Sequence, residues 1–244
     1  MTAGNRPPTI RLLMEPNTDD KPNSGRFHTQ TFAKADVKRR EKLLATALAQ
    51  FAEKGFSATS VNDIARGAGI SIGALYSYFP SKDDLYLTVV EQGRALLEEA
   101  LGDIDAAAPF FASYETLVRR ARDYALANPE LNRIYLDATT HGLRHLSRRL
   151  SGSLETITAE MYRKILAAAI ERGEVRAGTD TGADAFCLDS IMVLFQFSFA
   201  SDYYQERLRI FLGLSGDEPI DEEALIASIT NFVRRALAPS GACP

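Results

Sequence analysis

Residues 59–82, TSVNDIARGAGISIGALYSYFPSK, constrain this chain more than any other stretch, because they encode two short helices joined by a glycine turn and stopped at a proline. Thr59 is expected to cap a helix beginning at Ser60, since a hydroxyl there satisfies backbone N–H groups that lack an intrahelical partner. Ser60 with Asp63 also fits a capping box one residue later. Val61, Ile64, Ala65 and Ala68 share one face at helical spacing, and Gly67 and Gly69 bracket the turn. A second helix restarts with Ser71 as its N-cap. Ile72, Leu75 and Phe79 are spaced to face a core, which leaves Gly73, Ala74, Tyr76, Ser77 and Tyr78 on the outer surface. Pro80 prevents continuation, and Ser81 with Asp84 forms the capping box of the next helix.

Such a pair of helices suits duplex DNA. A helix enters the major groove only if its outward face is slim near the N-terminus, and Gly73 and Ala74 supply that slimness. Tyr76 and Tyr78 suit hydroxyl-to-phosphate hydrogen bonds, with Ser71, Ser77 and the helix N-terminus as further donors. Lys82 opens the following helix, where its charge opposes the helix dipole unless an anion such as a phosphate lies nearby. Taken alone, the stretch fits equally a surface helical hairpin whose tyrosines are half-buried packing residues. The flank favours DNA. Residues 37–55 form an amphipathic helix with Leu44, Ala47, Leu48 and Phe51 on one face, closed by Gly55. Its first turn carries Lys38, Arg39 and Arg40, cations that are mildly unfavourable at a helix start unless they meet phosphates.

With these residues in view, the chain resembles the TetR family of bacterial transcription regulators. The resemblance runs from Arg39 to Leu85, through a helix ending FAEKGF, an ATS-x-x-DIA helix, and GISIGALYSYFPSKDDL. It implies groove contacts at Ile72, Gly73 and Ala74 and phosphate contacts at Ser60, Tyr76, Tyr78 and Lys82, with Leu75 and Phe79 in the core. Ile72, Gly73 and Ala74 offer apolar contact and close approach but few hydrogen bonds, so Ser71, Ser77, Asn62, Arg66 and DNA shape are assigned part of the specificity.

A pI near 5.5 argues superficially against nucleic acid, but the average conceals an asymmetry. Residues 1–82 hold 12 Lys and Arg against 7 Asp and Glu, whereas residues 83–244 hold 16 against 25. A basic N-terminal part on an acidic remainder favours DNA at one end only. Residues 1–35, with Pro7, Pro8, Pro16 and Pro22 and no helical or strand period, read as a disordered arm whose Arg and Lys residues can track phosphates. The expected layout is therefore an arm at 1–35, a helix-turn-helix domain at 36–82, a helical effector-binding and dimerisation domain at 83–238 and a tail at 239–244. The start lacks the apolar run of a signal peptide, and Cys187 with Cys243 is too little for a disulfide framework, so a cytoplasmic location is expected.

Beyond the reading motif the chain is expected to be wholly helical, over residues 81–101, 110–127, 129–143, 147–172, 182–212 with a bend near Asp202, and 221–237 capped by Asp221. Residues 191–200 (IMVLFQFSFA) are apolar on all sides and too short to cross a bilayer, which indicates a buried helix. The family resemblance places 182–212 and 221–237 in an intersubunit four-helix bundle. Candidate effector contacts are Tyr114, Tyr135, Thr139, His141, Phe195 and Gln196, with Phe110, Phe111, Tyr124 and Phe186 as further aromatic lining. His141 and His145 stand one turn apart, but no carboxylate or thiolate at ligand spacing accompanies them, so no metal and no cofactor is expected.

The all-α chain is thus read as a homodimeric, sequence-specific transcriptional repressor, released from a palindromic double-stranded DNA operator by a small apolar or amphipathic effector. It is not read as an enzyme, since it has no H-E-x-x-H, no phosphate loop and no close Cys–His arrangement. The alternatives are a helical ligand-binding or interaction protein that has lost DNA binding, and lastly an enzyme built on a helical cavity.

Overall fold

The computed structural model describes residues 27–101, 104–138 and 143–239, which form eleven helices and no strand. They are α1 Gln30–Ala33, α2 Val37–Ala58, α3 Val61–Ala68, α4 Ile72–Tyr78, α5 Lys82–Leu101, α6 Phe110–Ala127, α7 Pro129–Ala138, α8 Arg144–Glu171, α9 Thr181–Phe197, α10 Asp202–Leu212 and α11 Glu222–Leu237. The chain forms two compact units. The first comprises the sequence to Leu96 together with Arg133–Leu150, and the second comprises Leu97–Asn132 together with Ser151 onward.

In the first unit, Leu43, Leu44, Ala47 and Phe51 of α2 are buried with Ile64, Ala65 and Ala68 of α3, Leu75 of α4, and Leu85, Tyr86, Leu87, Val89 and Val90 of α5. Burying each larger aliphatic or aromatic side chain contributes about 1.5–3 kcal/mol relative to leaving it exposed. The α2–α3 approach is close enough to demand a glycine, because a Cβ on Gly67 would stand 2.9 Å from Thr46 Cγ2. Gly69 ends α3 in the left-handed region (φ 75°), with its own N–H and that of Ile70 donating to the Arg66 and Ala65 carbonyls at 3.1 and 3.0 Å.

Three local expectations are corrected in this unit. Residues 27–35 are ordered: Thr29 caps α1, its N–H donates to the Tyr78 carbonyl at 2.9 Å and its hydroxyl to the Ser77 carbonyl at 2.7 Å, and Phe32 is buried against Phe79 and Tyr78. The rest of the expected arm, residues 1–26, lies outside the described residues. Thr59 does not cap α3. Gly55 adopts φ 72° inside α2, and the Thr59 hydroxyl turns back to the Gly55 and Gln50 carbonyls at 2.7 and 3.0 Å. The N-cap is Ser60, whose side chain makes no capping hydrogen bond, so the Ser60–Asp63 box does not form. Ser81 does cap α5: the Asp84 N–H donates to Ser81 Oγ at 3.1 Å, and Asp84 Oδ2 accepts in turn from the Ser81 hydroxyl at 2.6 Å.

The second unit is built around Phe110, Tyr114, Leu117 and Val118 of α6, Tyr162, Ile165 and Leu166 of α8, Leu188, Met192 and Phe195 of α9, and Ile226 and Val233 of α11. Arg119 and Arg122 of α6 pair with Glu223 at the start of α11, where Asp221 caps by accepting from the Ala224 N–H at 3.0 Å. The bend expected near Asp202 is there, and it is sharp enough to divide 182–212 into two helices, α9 and α10, meeting at 108°. Phe199 and Ala200 donate to carbonyls three residues back, and Ser201 is extended, so the chain tightens and then reverses course. The segment 191–200 is not enclosed all round, since Leu194 is exposed while Met192, Phe195 and Phe197 are buried. No single helix among the described residues is long and apolar enough to cross a membrane.

Candidate nucleic-acid interface

The front of α4 is open and its back is sealed. Leu75 and Phe79 are fully buried, whereas Ile72 is 38% and Tyr76 51% exposed and Gly73 lies at the surface. Ile72 therefore does not face the core as its spacing suggested; it shares the outer face with Gly73, Ala74 and Tyr76. Ser71 caps the helix by accepting from the Ala74 N–H at 3.1 Å, and Ser77 donates its hydroxyl to the Ala74 carbonyl at 2.7 Å. Those two hydroxyls are thus engaged inside α4, and the Ser60 hydroxyl at the start of α3 is not engaged in a cap. Arg66 is exposed on α3 and its guanidinium is paired with Asp63 one turn back. That pair is solvent-facing and weakly held.

Tyr78 departs from its expected place on the outer face. It is only 6% exposed, with its ring 5.5 Å from that of Phe32. The reason is local: α4 ends at Tyr78, Phe79 is extended (φ −130°, ψ 115°), and α1 covers the point where the helix unwinds. Lys82 stands at the first position of α5 with its Nζ 4.5 Å from the Phe56 ring centroid and donating to the Ser57 carbonyl at 3.3 Å. Partial burial pulls its pKa below the ordinary lysine value, while Asp83 pushes the other way. The aromatic face and the carbonyl hold the ammonium in place at a helix end whose dipole disfavours it.

Sequence reasoning missed the groups that hold this reading unit from behind. Asp137 of α7 accepts from the Phe56 N–H at 2.9 Å, immediately after the positive-φ Gly55. The Tyr86 hydroxyl donates to the Ile134 carbonyl at 3.2 Å, and burial first, then the Asp137 carboxylate, keep its pKa far above the ordinary phenol value. His145 Nε2 lies 3.3 Å from Asp83 Oδ2 and its ring 5.9 Å from that of Phe56. These pairings span 48 to 89 positions, so no local pattern announces them. The Thr29-x-x-Phe32 cap and anchor were visible in the sequence, masked by the polar, proline-rich stretch before them.

The proposed effector contacts are scattered. Tyr114 and Phe195 are buried in the core of the second unit, Gln196 is half-buried there, and Tyr135 belongs to the first unit. Thr139 and His141 lie outside the described residues. Phe186, expected among the lining aromatics, is 74% exposed.

The helix-turn-helix geometry agrees with comparisons to known proteins. The family model "Bacterial regulatory proteins, tetR family" matches residues 43–89, which run from α2 into α5. The HTH-type transcriptional repressor KstR2 of Rhodococcus jostii is 32% identical over 146 residues, covering 58% of this chain and 70% of that protein. The chain belongs to the TetR family. Its fold extends the likeness beyond the matched residues. The ketosteroid transcriptional regulator KstR2 of Mycobacterium tuberculosis superposes with a TM-score of 0.59 at 23% identity, covering 85% of this chain and 98% of that one. FadR of Bacillus subtilis, solved with stearoyl-CoA, gives 0.60 at 18% identity over 83% and 98%. This TetR-family protein is a DNA-binding transcriptional regulator.

Proposed function

We propose that the protein is a homodimeric repressor that reads a palindromic operator with α4 and is released by a small amphipathic effector. The observation that carries the reading is the face of α4: an exposed Ile72 and Gly73 with a half-buried Ala74 beside them, above a fully buried Leu75 and Phe79. Ser60, Arg66, Ser71, Tyr76, Ser77, Tyr78 and Lys82 surround that front as phosphate-contacting or positioning groups, with Tyr78 acting chiefly by its packing on α1. One seven-residue helix reads too few base pairs for strong specificity, so two half-sites read by a two-fold dimer are required. Exposed Phe186 and Leu194 on α9 and Phe232 on α11 supply apolar area for that dimer.

Coupling follows the chain. It passes between the two units three times, inside α5, α7 and α8. Effector binding in the second unit that shifts these helices is felt at Asp137, Tyr86 and Asp83, which grip the Gly55–Phe56 corner of the reading unit or lie beside it. A differential affinity of about 1–3 kcal/mol between states weakens DNA binding by roughly 5- to 150-fold. That FadR was solved with stearoyl-CoA, and that a KstR2 is named for ketosteroids, supports an effector with a large apolar body. The role is regulatory rather than catalytic, in the cytoplasm, and without a cofactor.

Binding to DNA from the region upstream of the protein's own gene, followed by fluorescence anisotropy as salt is raised, tests this reading. With several phosphate contacts per dimer, affinity is expected to fall by roughly three or more orders of magnitude between 50 and 200 mM salt. Absence of binding at low salt with protein in excess contradicts it.

A further inference from the structure

Phe56 is held at more points than a half-buried phenylalanine beside a turn requires. It follows Gly55, whose φ of 72° turns the chain inside α2, and its backbone N–H donates to Asp137 Oδ2 of α7 at 2.9 Å. Its ring lies 6.1 Å from that of Phe51 and nearly parallel to it, 5.1 Å from Tyr86 edge-on, and 5.9 Å from His145 of α8. Lys82 Nζ stands 4.5 Å from the centre of the same ring and donates to the carbonyl of the next residue, Ser57, at 3.3 Å. A lysine at the first position of a helix gains by extending into water, because the dipole repels a cation there. Lys82 instead folds back onto the ring, and partial burial pulls its pKa down while Asp83 opposes the shift. An ammonium has three N–H donors, so one given to Ser57 leaves it able to serve a phosphate as well. The torsions of a long, flexible side chain are thus settled before DNA arrives, and less ordering entropy is lost on contact.

We propose that Phe56 is a positioning residue for DNA binding: its ring fixes the Lys82 ammonium where it meets a phosphate, and Asp137 and His145 fix the ring. This deepens the DNA-reading proposal above and rests on it. A ring needed only to seal the core beside the buried Phe51 and Tyr86 has no use for a carboxylate on its own backbone N–H or a cation over its face. The groups that hold it also come from far along the chain. α7 and α8, which bring Asp137 and His145, each begin in one compact unit and end in the other. A shift of either helix therefore moves the ring, and the lysine with it, without any change in α4. Regulation at this joint acts on a phosphate contact, so it alters affinity for all DNA sequences about equally and leaves sequence preference alone.

A double-mutant cycle on the full chain tests the proposal, read by fluorescence anisotropy at about 100 mM salt on the duplex from upstream of the protein's own gene. Phe56→Leu is expected to weaken binding about fivefold or more in the wild-type chain, yet to add less than about twofold in a Lys82→Met background. Asp137→Ala is expected to behave as Phe56→Leu does in both backgrounds. Asp137→Asn, whose amide oxygen can accept the same N–H bond, and Phe56→Tyr, which keeps the ring, are expected to recover most of the loss. A random duplex of equal length is expected to give the same ratios, because a phosphate contact carries no sequence information. Thermal melts followed by circular dichroism set the assay temperature below the transition of every variant. A packing role alone makes Phe56→Leu weaken DNA binding by the same factor with and without Lys82, and that result overturns the proposal. Wild-type affinity in Phe56→Leu or in Asp137→Ala overturns it equally. Failure of the wild-type chain to bind either duplex at low salt would instead remove the DNA-reading proposal beneath it.

Discussion

Gly73→Leu is expected to abolish DNA binding while leaving the protein as stable as before or slightly more so. A Cβ at position 73 would meet only Ser71 Oγ, at 4.0 Å, and the residue has ordinary helical backbone angles, so the free protein has room for a side chain. Removing a glycine from a helix gains about 0.5–1 kcal/mol. On DNA the same side chain projects from the face that must lie against base edges, holds α4 out of the groove and breaks the register of the phosphate contacts. A loss of at least about 100-fold, equivalent to roughly 2.7 kcal/mol, is expected in each half-site. Anisotropy titrations beside a thermal melt measure both quantities on one sample. Wild-type affinity in Gly73→Leu means that the front of α4 does not enter the groove.

Phe32→Ala is expected to cost the first unit about 3 kcal/mol or more, as large-to-small changes at buried phenylalanines do. The side chain is 3% exposed, and its ring lies 4.7 Å from Phe79, 5.5 Å from Tyr78 and 5.1 Å from His28. A four-residue helix such as α1 cannot hold itself, so its stability comes from this anchor and from the Thr29 bonds to the Ser77 and Tyr78 carbonyls. Truncating the anchor releases α1 and unclamps the end of α4, so DNA affinity falls with stability. Urea unfolding followed by circular dichroism reads the first effect, and Phe32→Leu restores most of both. A change under about 0.5 kcal/mol would mean that α1 contributes nothing to the reading unit.

Helix ends were legible where a local device marks them: Ser71 as the cap of α4, Gly69 as the left-handed stop of α3 and Ser81 with Asp84 at the start of α5 in the reading unit, and Asp221 as the cap of α11 in the second unit. Leu75 and Phe79 followed from spacing alone. Tyr78 did not, since a helical wheel assumes the helix continues, and this one ends there under a segment whose composition looked unstructured. Ile72 was misplaced by the same assumption at the other end of a seven-residue helix. Thr59 had two competing uses for its hydroxyl, and the carbonyls left by Gly55 won over the N–H groups of α3. In the second unit the bend near Asp202 was expected, but the apolar run 191–200 hid that it opens already after Phe197, because turn and helix there share the same hydrophobic residues.

The central claim is that a two-fold pair of α4 helices reads DNA sequence, and selection of binding sites from a random duplex pool tests it most directly. The expected product is an inverted repeat whose half-sites lie about 34–36 Å apart, one helical turn, or a multiple of it, bound with two chains per repeat. Enrichment of no sequence, or of one asymmetric site bound by a single chain, would contradict it.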